Sequence, residues 1–223
     1  MTAHAATLVF ESRRPARVWH FWLAAFAVAA VLSCTFDQPV ARWVHANEPA
    51  THVAFLRPVA WWCGHLAVTA GIAGLITCLH PRRWRGGLEL LTSGIMAGLL
   101  SGLVKWMVGR TRPYKGVDAF TFHPFQHGIT GLFVIPPNLS FPSGHAALIF
   151  ATAGTLATLA PRWRLFLFAI GTIMAAFRVL EGAHYMSDVV AGAALGLIAS
   201  GIARRLFNRR RPSRGAVDSI NAP

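Results

Sequence analysis

No charged residue falls between Val18 and Phe36, and none between Val59 and Leu79. A run of about 20 apolar residues is long enough to cross the hydrocarbon core of a bilayer as a helix. Inside lipid the backbone must satisfy its own hydrogen bonds, so such a run folds as a helix rather than as open chain. Four more segments fit the pattern. Leu88 to Val108 is broken only by Glu89 and Lys105, and Pro142 to Ala160 carries only His145. Arg162 to Leu180 holds an apolar core from Leu165 to Phe177, and Val189 to Ala203 extends to Phe207. The expectation is an all-α, polytopic membrane bundle of six transmembrane helices, one domain over residues 1–223. Charged residues make up 13% of the chain, against roughly 25% in ordinary soluble domains.

The net charge of +13 raises nucleic acid as a partner, but the basic residues sit in short clusters between apolar runs. That is a membrane-protein distribution, and no nucleic-acid partner is expected. With six spans, fourteen of the 21 Lys and Arg share one side: those at 13–17, 82–85, 162–164 and 204–214. The other side holds Arg42, Arg57, Lys105, Arg110, Arg112, Lys115 and Arg178. The positive-inside rule then places both termini in the cytoplasm of a cell membrane, with a bacterial inner membrane the natural case. Residues 204–223 read as a basic cytoplasmic tail that anchors on anionic lipid. Arg13 to Arg17 before the first run resemble a signal-peptide n-region, but the uncharged stretch is too long for an h-region, so retention is expected. Trp19, Trp43, Trp61, Trp62, Trp106 and Trp163 fall near span ends, as an aromatic belt would. Cys34, Cys63 and Cys78 lie in apolar runs and are expected to be free, buried thiols. Val40 to Val44 reads as a short helix lying on the membrane surface, and Gly109 to Phe141 as a long functional connection. Gly192 and Gly196 are spaced for close helix packing.

Three polar clusters stand out against this background. They are Lys105 with Arg112-Pro113, Pro142-Ser143-Gly144-His145, and Arg178 with His184 and Asp188. Charged groups at membrane depth are costly and mark functional sites. Under the six-span topology all three lie on the outer face. Lys105, Arg112 and Arg178 suit a phosphate group, which carries about −1.5 to −2 charge near neutral pH. Ser143 and Gly144 open a helix whose free N–H groups favour anions. His184 and Asp188 are four apart, so one helical turn brings them together. A carboxylate on one ring nitrogen leaves the other free to attack. His184 is therefore the candidate nucleophile, and His145 the acid that protonates the leaving oxygen and then activates water. Three cations can stabilise the transferring group without a metal, and no cofactor is expected. Taken singly, Lys105 reads as a snorkelling lysine and Asp188 as a helix cap. Their conjunction at these spacings on one face favours a site. His123 and His127 read as solvated loop residues, and His20, His65 and His80 as interfacial or packing ones.

Lys105-x6-Arg112-Pro113, Pro142-Ser143-Gly144-His145 and Arg178-x5-His184-x3-Asp188 resemble the three signatures of the type 2 phosphatidic acid phosphatase family, over a signature region of 88–203. That family shares a core with the vanadium haloperoxidases. The resemblance implies a metal-independent membrane phosphatase acting through phosphohistidine, with the residue roles given above. Candidate substrates are phosphatidic acid, phosphatidylglycerophosphate, a polyprenyl diphosphate or a lipid A phosphate on the outer leaflet. A phosphotransferase passing the same phosphoryl group to another acceptor is the alternative. A transporter is disfavoured because its spans would be broken near the midplane, whereas these cations sit at helix ends. One residue departs from the pattern: Phe177 stands where the family usually has Ser before the Arg, which removes a hydroxyl from the phosphate's surroundings. Glu181, between Arg178 and His184, is expected to face water rather than pair with Arg178. The resemblance does not fix the lipid or the oligomeric state.

Overall fold

The computed structural model describes residues 16–52, 54–79, 84–115, 118–126, 128–134 and 136–208. Arg13, Arg14, His80, Arg82, Arg83, His127 and the tail beyond Asn208 lie outside them. The described residues form helices α1 (Ala16–Asn47), α2 (Arg57–Cys63), α3 (Leu66–Leu79), α4 (Trp84–Val108), α5 (Thr130–Phe133), α6 (Gly144–Leu159), α7 (Arg164–Leu180) and α8 (Met186–Asn208). Among them there is no strand, only isolated bridges between Arg110 and Phe122 and between Thr111 and Leu139. The all-α architecture is the one that hydropathy dictates.

Three of these helical segments are long and apolar enough to cross a membrane: Trp84–Val108, Pro161–Leu180 and Met186–Asn208. A fourth span arises if Ala54–Cys63 and Leu66–Leu79, bent by 64° at their junction, act as one. The expected count of six exceeds what length and apolarity establish here. The second expected span is not one helix. It breaks at Gly64 and His65, where the backbone makes way for the His145 ring: a Cβ on Gly64 would lie 2.1 Å from His145 Cδ2. Among the described helices, α6 is apolar but has only 16 residues.

α6 and α8 form the most extensive pairing, and α4 packs on both. Small residues allow it. A Cβ on Gly192 would fall 2.3 Å from the Ser143 carbonyl oxygen, and one on Gly196 2.3 Å from that of Ala147. Ala97, Ala147, Ala151 and Ala199 fill the seam. In an apolar solvent, association rests on such close packing and on helix-to-helix hydrogen bonds. Thr155 donates to Ser93 at 2.9 Å, and the Thr69 and Thr152 hydroxyls meet at 2.8 Å.

Three smaller expectations are corrected. The surface helix at Val40 to Val44 is instead the end of α1, which runs on to Asn47 past an internal Pro39. It continues because Asp37, Ala41 and Val44 are buried against the bundle rather than laid on its surface. The three cysteines are free, but Cys34 and Cys78 are exposed on the protein's outside and Cys63 is half-buried; an apolar run in a membrane protein is as readily lipid-facing as buried. Phe177 does not line the polar site. It is 3% exposed, in an apolar cluster with Ala60, Ile149 and Met174, where it seats α7 on α2 and α6.

Gly196→Val puts methyl groups against backbone that no rotamer change can move. Overpacking costs about 1–3 kcal/mol. Thermal unfolding in detergent should show a lower midpoint than for Gly98→Val, where a Cβ meets nothing within 4 Å.

Candidate active site

The sequence clusters come together at one end of the bundle. Lys105 lies in the last turn of α4 and Arg112 in the loop after it. Ser143 caps α6, Gly144 and His145 form its first turn, and Arg178 lies in the last turn of α7. His184 sits between α7 and α8, and Asp188 in the first turn of α8.

Asp188 is completely buried, and its two oxygens hold the end of the bundle together. Oδ1 accepts from Arg110 Nη1 at 2.9 Å. Oδ2 accepts the Tyr185 N–H at 2.8 Å and a short bond from the Ser140 hydroxyl. The first of these is one half of a capping box, in which a side chain in the first turn reaches back to the N-terminal backbone donor. The cap and the site are thus the same carboxylate.

His184, 2% exposed, does not bond Asp188 directly. Its Nδ1 lies 3.6 Å from Asp188 Oδ2 and 3.3 Å from Ser140 Oγ. The first distance is beyond a hydrogen bond; the second is a long one. A carboxylate only accepts, so the Ser140 proton goes to Asp188 and the Ser140 lone pair takes the His184 Nδ1 proton. The chain His184 to Ser140 to Asp188 therefore fixes the tautomer and leaves Nε2 with its lone pair. Burial pushes the His184 imidazole down to about 3, so it is neutral at physiological pH.

The cations divide their work. Lys105 Nζ donates to the carbonyls of Leu139 at 3.2 Å, Ser140 at 2.9 Å and Pro142 at 2.9 Å. An ammonium has three N–H groups, so in this geometry Lys105 staples the 139–142 turn instead of presenting a free donor. Arg112 bonds the carbonyls of Leu139 at 3.1 Å and Ala183 at 3.2 Å. Ser143 Oγ accepts the Ala146 N–H, and its own N–H goes to Asp188 O at 2.9 Å. Arg178 is different. Its Nη1 pairs with Glu181, while its buried Nε has no partner. His145 Nε2 is likewise buried without a partner. Arg178, His184 and Arg112 are all close enough to act on the charge of His145. An orphaned buried donor costs about 1–3 kcal/mol, so these two atoms mark where a ligand belongs.

The expectation for Glu181 is corrected here. It does not face water: its side chain is 9% exposed and bridges Arg178 to Arg57, the latter at 3.3 Å.

Besides Ser140, two residues escape the sequence reading: Arg110, which enters it only as loop charge, and Asp37, which it does not name. Arg110 is 3% exposed. It donates to Asp188 at 2.9 Å, to Asp37 at 2.8 Å, to Ser187 Oγ at 2.7 Å and to Ala119 O at 2.8 Å. Its guanidinium also lies 4.0 Å from the Tyr185 ring centroid. Asp37 accepts the Ser187 N–H at 2.9 Å and the Ser187 hydroxyl. A signal existed: with only eight acidic residues in the chain, an Asp closing an apolar run needed a partner. Among the described residues no three His, Cys, Asp or Glu side chains gather as a metal-ligand set.

The PAP2 superfamily profile matches residues 86–212. Lipid A 1-phosphatase of Rhizobium etli is 38% identical over 49% of this chain and 45% of its own length. Undecaprenyl-diphosphatase of Sulfolobus acidocaldarius is 30% identical over 53% of each. The chain thus spans about half the length of these curated relatives. In fold, it is similar to the crystal structure of the first transmembrane PAP2 type phosphatidylglycerolphosphate phosphatase from Bacillus subtilis. The TM-score is 0.59 at 22% identity, covering 90% of this chain and 98% of that one.

Removing Arg110 leaves two carboxylates buried and unpaired. Breaking a buried pair this way costs about 3–5 kcal/mol. Arg110→Met should therefore lower the thermal midpoint sharply, whereas Arg42→Met, at an exposed position, should not.

Proposed function

The chain belongs to the PAP2 superfamily, and we propose that it is an integral membrane phosphatase that hydrolyses the phosphate of a membrane lipid through a phosphohistidine. The observation that carries this reading is the His184–Ser140–Asp188 chain beside the unpartnered nitrogens of His145 and Arg178. His184 Nε2 attacks phosphorus, and the bond from phosphorus to the lipid oxygen breaks. His145, protonated once the negative charge of the phosphate lies beside it, gives its proton to that leaving oxygen. The phosphoryl group, freed of the lipid, then sits on His184. His145, now neutral, takes a proton from water, whose oxygen attacks phosphorus as the P–N bond breaks. Inorganic phosphate leaves and His145 is again protonated. Arg178 Nε and Arg112 hold the phosphoryl oxygens, and the N-terminus of α6 at Gly144 offers backbone N–H. A Cβ on Gly144 would meet only Ser101 Oγ at 3.6 Å, so packing does not demand a glycine there; the approach of a phosphoryl oxygen does. Lys105 contributes positive charge through the turn it staples. These cations supply the electrostatic stabilisation without a metal, so activity should survive excess chelator.

The substrate is a lipid phosphate or diphosphate; two relatives are named for lipid A and for undecaprenyl diphosphate. The loop-charge count supports a site on the outer leaflet with both termini cytoplasmic.

His184→Ala should abolish both phosphate release from a panel of lipid mono- and diphosphates and phosphoenzyme labelling. Retention of either removes the nucleophile assignment. Because burial holds the His184 imidazole near 3, labelling by wild type should not titrate with this group near pH 6.5, where an exposed histidine would gain its proton. It would be lost only as pH falls towards the lower value. Transfer of label to an added lipid acceptor, in place of free phosphate, would identify a phosphotransferase.

A further inference from the structure

From Ala119 to Phe141 the sequence carries no Asp, Glu, Lys or Arg. The large side chains of this connection do not turn inward. Ile129, Phe133 and Val134 are each at least 75% exposed, and Phe120 and Phe125 more than 50%. Single exposed apolar residues need no explanation, but such a cluster without a charge among them does. The segment is fastened to a particular flank of α4. Ile95, Leu99, Leu103 and Met107 are exposed at four-residue steps, so they form one stripe. On a helix long and apolar enough to cross a membrane, that stripe faces acyl chains. Trp106, three residues after Leu103, stands beside its end. The Trp106 indole N–H donates to the Gly128 carbonyl at 2.8 Å, and the Trp106 carbonyl accepts the Phe125 N–H at 2.9 Å. The Trp106 and Phe125 rings meet edge-on, 4.9 Å between centroids. Gly131 brings α5 against the same indole: a Cβ there would lie 3.1 Å from Trp106 Cδ1.

We propose that residues 120–134 form an interfacial loop whose apolar face is sunk into the membrane leaflet at the site end of the bundle. Its partner is the boundary between head groups and acyl chains, continuous with the lipid that covers the α4 stripe. An indole at the end of a span is suited to that depth. The contact is hydrophobic rather than electrostatic, because the segment has no Lys or Arg with which to meet an anionic head group. Backbone hydrogen bonds carry the anchoring to the site. The Thr111 N–H donates to Thr121 O and the Arg112 N–H to Asn138 O, each at 3.0 Å. The strip of chain that delivers Arg110 and Arg112 is therefore paired on both sides with the anchored segment. This surface stands whether or not the chain hydrolyses a lipid.

The test is the depth of this face in a bilayer. Ile129→Cys and Phe133→Cys are made separately in the full chain with Cys34, Cys63 and Cys78 replaced by Ala. Leu99→Cys, on the α4 stripe, serves as the acyl-chain reference. Each variant is labelled with a nitroxide and reconstituted into nanodiscs of a neutral phospholipid. Power-saturation EPR then compares collisions with oxygen, which concentrates in the acyl region, and with a water-soluble nickel chelate. The oxygen-to-nickel ratio at 129 and 133 should lie nearer to that at 99 than to that of the free nitroxide in buffer. It should not shift between low and high salt, since screening acts on charges. A ratio near the free nitroxide's puts the face in water and overturns the proposal. Few collisions with either reagent would mean that protein covers the face, a second copy of this chain included, and overturns it equally. A ratio that falls towards the buffer value at high salt removes the hydrophobic contact. No turnover enters these measurements, so the phosphatase reading fails separately, if wild type releases no phosphate from any lipid in the panel.

Discussion

The Asp188 carboxylate is the point on which the site end of the molecule depends. It is completely buried where the helices end, so its charge must be met by protein. Arg110, Ser140 and the Tyr185 N–H meet it. Each brings a different part of the chain: the loop after α4, the turn before α6, and the start of α8. Arg110 in turn needs a second anion, and Asp37 on α1 provides it. The sequence carries these charges in spite of their desolvation cost because they pair with one another and fix four segments in one place. Truncating Arg110 leaves two carboxylates without their counter-charge, which is far worse than having none.

That cluster also decides what His184 can do. A histidine loose in a loop would be half-protonated and free to turn. Here burial keeps it neutral, and the Ser140 hydroxyl sets its tautomer. The stapling of residues 139–142 by Lys105 positions Ser140 itself. The Lys105 signature is thus linked to His184 through backbone carbonyls. The bend between α2 and α3 completes the arrangement from the other side, giving the His145 ring room beside Gly64.

Much of this was legible in the amino-acid sequence, for reasons that differ from residue to residue. The helices were visible because lipid permits little else for uncharged runs of this length. The convergence of the clusters was visible because hydropathy and loop charge independently put them on one side. Gly192 and Gly196 were visible by spacing, and their backbone contacts explain why nothing larger fits. What was hidden depends on side-chain direction. Ser140 is one serine among many, and nothing local says that its hydroxyl bridges a histidine and a carboxylate. Glu181 lies three residues after Arg178, a spacing that suits both pairing and exposure; Arg57, distant in sequence, tips it inward. Phe177 differs from the family's serine, but its helix turns that position into the apolar cluster, so the replacement adds packing to α7. The break at Gly64 depends on a ring that sequence separation gives no reason to place there.

The central claim is that the Ser140–Asp188 pair holds His184 with Nδ1 protonated and Nε2 free. Its most direct test is the regiochemistry of the trapped intermediate. Enzyme quenched during turnover of a lipid phosphate, digested and analysed by mass spectrometry and phosphorus NMR, should carry its phosphoryl group on Nε2 of His184. Phosphorylation at Nδ1 of His184, or on His145, would contradict the account.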